Sequence, residues 1–307
     1  MSRPRRNPEG VWYPRWFWPS FASPGVVWLA LLFVVPFYVV LCVAFGTQDP
    51  IFRQPVPIWN PAQWYTGTLG HVLNELFGRG AFLGPAFIRT FVYVAVASLL
   101  CLLIGYPIAY YVARYGGKRK GLLLVLLIAP FWISYIMRMF AWVNLLGSDG
   151  LVNKGLTFFH VVGHPVNWLG GKPLTVVLGL VYGYVPYMIL PLYAGLDRID
   201  ASLLEASRDL GASRFRSFLR VTLPLSGPAI LAGLVITTLP MFGDYFTNDM
   251  LSGHPNTSMI GNLVDDAVGT PSQGAIGACL VLILIAILIV PMLYYIRSTA
   301  RATRERS

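Results

Sequence analysis

The sequence predicts an all-α polytopic membrane protein of six transmembrane helices, with a short cytoplasmic elbow between the fourth and fifth. Three observations predict it. The 307-residue chain is 56% hydrophobic and only 12% charged, roughly half the charge of an ordinary soluble domain. Its uncharged runs recur at the length a bilayer needs, because a hydrocarbon core of about 30 Å takes roughly 20 apolar residues of helix. Its lysines and arginines alternate between dense and sparse from one loop to the next.

The uncharged runs are 16–48, 90–113, 121–137, 173–196, 221–243 and 267–296. They place spans near 24–46, 88–113, 121–146, 174–196, 225–249 and 274–296, the third interrupted by Arg138. The first run is too long for a signal-peptide core and has no A-x-A-like cleavage site, so it reads as a retained anchor. Cys42, Cys101 and Cys279 all fall inside spans, with neither disulfide nor metal-site spacing. They read as small packing residues.

Orientation follows the positive-inside rule. Arg3, Arg5, Arg6 and Arg15 precede span one, and Arg114, Lys118, Arg119 and Lys120 follow span two. Arg198, Arg208, Arg214, Arg216 and Arg220 lie between spans four and five, and Arg297, Arg301, Arg304 and Arg306 follow span six. The opposite loops hold Arg53, Arg79, Lys154 and Lys172 alone. Both termini are therefore expected in the cytoplasm, at a lipid bilayer whose anionic inner leaflet attracts the basic side. The net charge of +10 needs no nucleic-acid partner, since no basic stripe is interleaved with exposed aromatics.

This divides the chain into a cytoplasmic tail (1–23), a first helix with a long external loop (24–86), a transmembrane core (87–296) and a second cytoplasmic tail (297–307). The external loop is rich in Pro, Gly and Trp ("QPVPIWNPAQWYTGTL"). It suits either a cap on the outer mouth or an interfacial connector. His160 and His164 in "HVVGHP" are four apart, but Pro165 follows and no third ligand is near, so no metal site is expected.

The elbow is 200–224, and its core reads "LLEASRDLGASRFRSFLRVTLPL". Ser202 and Glu205 have the S-x-x-E form of a capping box. Gly211 suits the residue that ends a helix, and Ser213 suits the cap of a second one. Two short helices with a glycine bend make a compact knob for another protein's groove.

Here the chain resembles the membrane-spanning subunits of bacterial ABC importers, whose cytoplasmic loop carries E-A-A-x3-G-x9-I-x-L-P. Glu205, Ala206, Gly211, Leu223 and Pro224 match, while Ser207 and Val221 are conservative departures. The resemblance implies the type I importer permease fold and makes the elbow the helix that couples to an ATPase. It also implies a second permease subunit, a different chain because the family usually pairs unlike permeases, two ATP-binding subunits and an extracytoplasmic solute-binding protein, all at a bacterial inner membrane. ATP and Mg would be bound by the partner ATPase. This chain has no G-x-x-x-x-G-K-[ST] loop; "GGKP" at 170–173 lacks the earlier glycine. No cofactor and no catalysis of its own are expected.

A narrower resemblance runs from about 25 to 296. "IGYPIAYYVAR" (104–114), "APFWISYIMRMFAWVNLLGSDGLVN" (129–153), "GLVYGYVPYMILPLYAGLDRID" (179–200) and "LPMFGDYFTNDMLSG" (239–253) are similar to permeases of spermidine/putrescine importers. Importers of ferric iron, thiamine and other small solutes share much of that scaffold. The residue chemistry is compatible with a polyammonium cargo, which takes aromatic faces and a few carboxylates. Candidates are Trp132 and Tyr135 on span three, Tyr182, Tyr184 and Tyr187 on span four, and Asp244, Tyr245 and Asp249 on span five. Tyrosines in spans also serve as packing residues. Arg138 and Asp244 fall at nearly the same depth if both spans are straight at 1.5 Å per residue. They form a candidate structural ion pair, with Asp149 as an alternative partner for Arg138 and direct solute contact as an alternative role for Asp244. A transporter driven by an ion gradient is a rival reading, but it would need no docking elbow.

Overall fold

The computed structural model describes residues 16–78 and 82–304, with side chains through Arg297. The expected basic residues Arg3, Arg5, Arg6, Arg15, Arg79 and Arg306 lie outside the described residues.

Helix α1 (Phe17–Ala44) starts earlier than hydropathy suggested and carries Pro24 and Pro36 inside it. Only 6% of its apolar window is buried by the protein, and Trp28 and Phe33 stand 65% and 73% exposed. An apolar surface that extensive needs lipid or a partner. A two-residue hairpin follows, β1 (Thr47–Gln48) against β2 (Pro55–Val56). Then come α2 (Gly67–Phe77) and the long α3 (Gly84–Tyr115).

Span three is not one helix. α4 (Lys120–Ile128) ends in a 3-10 turn at Ala129–Trp132, and α5 (Tyr135–Leu146) leaves in a new direction. The bend is 82°. Pro130 supplies no N–H to the turn, and Ile133 and Ser134 take extended ψ near 138°, so the helical ladder cannot run through. α6 (Leu151–Phe158) and a loop follow α5. Asn153, 1% exposed, organises that loop. Its Oδ1 accepts from the Val166 amide at 3.0 Å and Trp168 Nε1 at 3.1 Å, and its Nδ2 donates to the Gly147 and Val166 carbonyls.

α7 (Pro173–Asp197) is the central helix, with 56% of its apolar window buried. Leu180, Met188, Leu192 and Leu196 pack against α3 and the later helices around a core shared with Ala97, Cys101 and Met241. The elbow contains α8 (Ala201–Asp209) and α9 (Arg214–Ser217), then a π-helical turn at Phe218–Thr222 and the single turn α10 (Leu223–Leu225).

Span five is also broken. A 60° bend at Ser226 separates the α9–α10 run from α11 (Gly227–Phe242). The chain then unwinds over Gly243–Tyr245 and resumes as α12 (Phe246–Leu251). α13 (Ile260–Gly269) and α14 (Gly274–Arg304) close the chain, packing with α1 and α2 around Ala44, Leu76 and Cys279. Among the described residues four helices are individually long and apolar enough to cross a membrane, and up to six spans result when each bent pair counts as one. Non-helical backbone at membrane depth is tolerated where protein buries it or where it lines a cavity. The segment that follows the span-three break and the unwound Gly243–Tyr245 stretch of span five meet that condition, since Tyr135, Gly243, Asp244 and Tyr245 line one cavity.

Candidate functional site

The elbow is built from the termini of short helices. α8 is capped by Asp200, whose side chain accepts from the Ser202 amide at 3.0 Å. Ser202 is thus the second residue of the helix and not its cap, and the expected Ser202–Glu205 capping box is replaced by an aspartate cap two residues earlier. The amide holds the Asp200 carboxyl below its usual range. Glu205 is exposed on α8.

The far end of α8 closes as the sequence suggests. Gly211 has φ +82°, its amide donates to the Arg208 carbonyl at 2.8 Å, and the Ala212 amide reaches back to the Ser207 carbonyl at 3.0 Å. This pair of bonds is the Schellman arrangement. Ser213 Oγ then accepts from the Arg216 amide at 3.3 Å and starts α9.

The departure at position 207 has a structural use, because Ser207 Oγ lies 2.6 Å from Ser217 Oγ and ties α8 to α9. Ala206 is exposed, and its carbonyl accepts from the Leu210 amide. Leu223 and Pro224 lead back into the membrane. Leu210 and Phe215 project 89% and 69% exposed from the knob. At its base, Arg114 Nη1 donates to the Ile199 carbonyl at 3.0 Å, and Lys120 pairs with Asp197 at 2.5 Å. Movement of the knob is therefore linked to the α3–α4 turn.

The second site is a cavity of about 440 Å³ where the span-three and span-five breaks face α7. Tyr135, Arg138, Tyr184, Tyr187, Asp244 and Tyr245 line it. Asp244 is 7% exposed. Its Oδ1 accepts from the Thr247 amide at 2.9 Å, and its Oδ2 accepts from Thr247 Oγ1 at 2.6 Å and Tyr135 Oη at 3.2 Å. The carboxylate thus satisfies free amide and hydroxyl donors at the start of α12.

Arg138 does not join it. Among the described residues the ion pair is Lys120–Asp197, and no nitrogen of Arg138 comes within 4.0 Å of a carboxylate, Asp244 and Asp149 included. The guanidinium carbon sits 4.5 Å from the Phe131 ring centroid, 5.2 Å from Tyr135 and 5.8 Å from Tyr182. The expected ion pair is corrected for a physical reason. Thr247 and Tyr135 already occupy the carboxylate, and three aromatic faces hold the cation by its quadrupole attraction.

The other candidates separate. Tyr182 lies outside the cavity lining, tilted against Phe131 and edge-on to Trp142. Trp132 is 77% exposed at the 3-10 turn, and Asp249 accepts from Asn262 Nδ2 at 2.6 Å. Sequence reasoning missed Gly183, Thr247 and Asp200. Gly183 admits the Tyr135 ring, since a Cβ there would stand 2.9 Å from Tyr135 Cε2. The Asp-x-Ser start of α8 was a readable cap signal, whereas nothing local marks Gly183. Among the described residues no group of three metal-binding side chains occurs, and His160 stands alone at a left-handed turn with φ +54°.

A bundle of broken spans around a cavity that holds Asp244 and Arg138, with a helical knob on one side, defines a multi-pass transport permease. Residues 105–303 match the family model of the binding-protein-dependent transport system inner membrane component, and the chain belongs to that family. It is 34% identical over 240 residues to the spermidine/putrescine transport system permease protein PotB of Haemophilus influenzae, covering 77% of this chain and 78% of that one. The PotB of Escherichia coli is 38% identical over 169 residues, 55% of this chain and 61% of the relative's length. An inner membrane ABC transporter permease of E. coli, YdcU, is 34% identical over 201 residues, 62% of each chain. A bacterial ABC transporter involved in alginate import shares the fold, with TM-score 0.67 at 20% identity over 93% of this chain and 96% of that one. These relatives are transport subunits, and this chain, like them, is not itself a catalyst.

Proposed function

We propose that this chain is the permease subunit of an ATP-driven ABC importer and forms the translocation path for a small cationic solute of the polyamine class. It works beside a second permease, two ATP-binding subunits and an extracytoplasmic solute-binding protein, with both termini in the cytoplasm. The single observation that carries the importer reading is the elbow. A Schellman-closed helix with exposed Glu205 and protruding Leu210 and Phe215 is a preformed knob, and preformed knobs dock at low entropic cost. ATP and Mg belong to the partner the knob engages.

The solute class rests on the cavity and on the relatives whose names carry spermidine and putrescine. Asp244 supplies a carboxylate and four tyrosines supply aromatic faces to an ammonium. Coupling follows from connection: α7 carries Tyr184 and Tyr187 on the cavity wall and ends at the elbow base. A push on α8 therefore reaches the cavity through one continuous helix.

The test is reconstitution of the chain with its neighbouring ATPase, second permease and binding protein in liposomes. Putrescine accumulation that needs ATP and stops with vanadate is the expected result. Uptake driven by an ion gradient without ATP would overturn the importer reading. ATP-driven uptake of ferric iron or thiamine but not of diamines would overturn the solute class alone.

A further inference from the structure

The cavity holds two opposite charges that leave each other unneutralised. Asp244 is engaged by Thr247 and Tyr135. Arg138 lines the same cavity, yet its Nε and Nη1 are buried without a hydrogen-bond acceptor. The groups packed on the guanidinium are the rings of Phe131, Tyr135 and Tyr182. These faces attract its charge but accept no in-plane N–H bond, so the guanidinium keeps an unmet demand for an acceptor.

A polycation answers half of this arrangement. It finds Asp244 and the tyrosine faces, and it meets repulsion from Arg138. A solute with an ammonium at one end and a carboxylate at the other answers both halves, because a carboxylate accepts from the forked N–H groups of arginine. A cavity of about 440 Å³ lined by both charges has room for a short linear solute.

We infer that the cavity accepts linear ω-amino carboxylates, with the carboxylate on Arg138 and the ammonium against Asp244 and the tyrosines. Arg138 is the specificity-determining residue that separates these solutes from diamines. The inference rests on the cavity being the solute path, as proposed above, and adds a solute class to that reading. In this setting Arg138 costs stability in the empty cavity and returns it when an anionic group arrives.

The test measures equilibrium binding of radiolabelled putrescine and of 4-aminobutyrate, its aminocarboxylate counterpart in chain length. It uses the assembled permease–ATPase complex in nanodiscs, without the solute-binding protein, so that no upstream selection intervenes. Wild type is expected to bind both. Arg138→Gln is expected to weaken 4-aminobutyrate by at least about tenfold while putrescine binding holds or tightens. Arg138→Lys keeps the charge without the fork, is expected to fall between the two, and serves if the glutamine variant fails to assemble. Putrescine binding without saturable 4-aminobutyrate binding would overturn this inference and leave the proposed function intact. Equal weakening of both solutes in the arginine variants would overturn it by showing a structural role. Binding of neither solute would overturn both readings.

Discussion

The Tyr135 hydroxyl donates to Asp244 Oδ2 at 3.2 Å, while the face of the same ring lies 5.2 Å from the Arg138 guanidinium. One tyrosine thus stands between two charges that would otherwise be natural partners. It contacts the anion through its hydroxyl and the cation through its π face. This geometry makes the Arg138–Asp244 pair an indirect one and sets the order of couplings that mutagenesis should find.

Double-mutant cycles on the abundance of folded protein are expected to show that order. Tyr135→Phe with Asp244→Asn removes a direct contact, and direct contacts couple by about 0.5–3 kcal/mol. Arg138→Gln with Asp244→Asn is expected to be additive within about 0.5 kcal/mol. Because asparagine keeps an oxygen for the Thr247 amide, Asp244→Asn should retain protein level and lose roughly tenfold in putrescine uptake. A strong Arg138–Asp244 coupling would return the ion pair to the account.

Gly211 provides a cleaner test of the elbow. Its φ is +82°, and a Cβ built there meets nothing within 4 Å. Any penalty is therefore backbone strain rather than collision. Asparagine tolerates the left-handed region, whereas a β-branched residue pays roughly 1–2 kcal/mol or more there. Gly211→Asn is expected to keep transport, and Gly211→Val to lose it with membrane insertion unchanged. Normal uptake by the valine variant would remove the bend from the mechanism.

Asp200 and Glu205 separate helix stability from docking. Asp200→Ala removes the cap and should lower the melting temperature by a few degrees, with the ATPase still bound at low temperature. Glu205→Lys leaves that cap in place. Its expected outcome is a permease that stays in the membrane and loses its ATPase subunits on purification. The pH dependence has a definite sign. The folded Asp200 carboxyl is depressed by the Ser202 amide, so its contribution is present above the unfolded value of about 3.9. It fades as pH falls through the lower folded value. A melting difference between wild type and Asp200→Ala that persists at the lowest pH would contradict the cap.

Much of this was legible in the sequence, and the failures at the bent spans and at Arg138 share one cause, whereas the Asp200 cap was a local signal passed over. Hydropathy reads composition along a line, so it locates α3 and α7 well and registers neither the 82° nor the 60° bend. "APFWIS" and "LPLSGP" did carry the break signals, proline and glycine beside small polar residues, inside runs whose apolarity concealed them. The elbow was readable because caps are local: Gly211 and Ser213 act within a few residues of themselves. The partners of Arg138 were not legible because its environment is tertiary. Straight-helix arithmetic put it level with Asp244, but the unwound backbone at Gly243 aims that carboxylate at Thr247.

Sidedness is testable with the chain's own background. Cys42, Cys101 and Cys279 are fully buried, so an impermeant thiol reagent has little to react with. Leu210→Cys sits on a residue 89% exposed in the elbow, and Ile51→Cys on one 83% exposed at the hairpin tip. In intact cells expressing the permease, Ile51→Cys should label from outside, and Leu210→Cys only after the membrane is opened. Co-expressed ATPase should then protect Leu210→Cys. External labelling of Leu210→Cys would invert the topology.

The last prediction concerns Gly183, which lines the cavity but has no side chain to offer a solute. A methyl group there would stand 2.9 Å from Tyr135 Cε2 and 3.0 Å from its hydroxyl, closer than carbon atoms pack without displacement. The ring is the part that gives, because α7 is held on its other side by the core around Met188 and Leu192. Displacing the ring withdraws the hydroxyl from Asp244 and one aromatic face from Arg138 together. Gly183→Ala is therefore expected to reduce solute uptake about as much as Tyr135→Ala. Overpacking of this kind typically costs about 1–3 kcal/mol, so some loss of melting temperature should accompany it. ATPase binding should be untouched, since the elbow is remote along α7. The decisive comparison is the double variant Gly183→Ala with Tyr135→Ala, in which the methyl group has no ring to meet. Recovery of the melting temperature to that of Tyr135→Ala alone would place the ring as the sole obstruction. A further additive loss would mean that Gly183 serves backbone packing and has no part in positioning Tyr135.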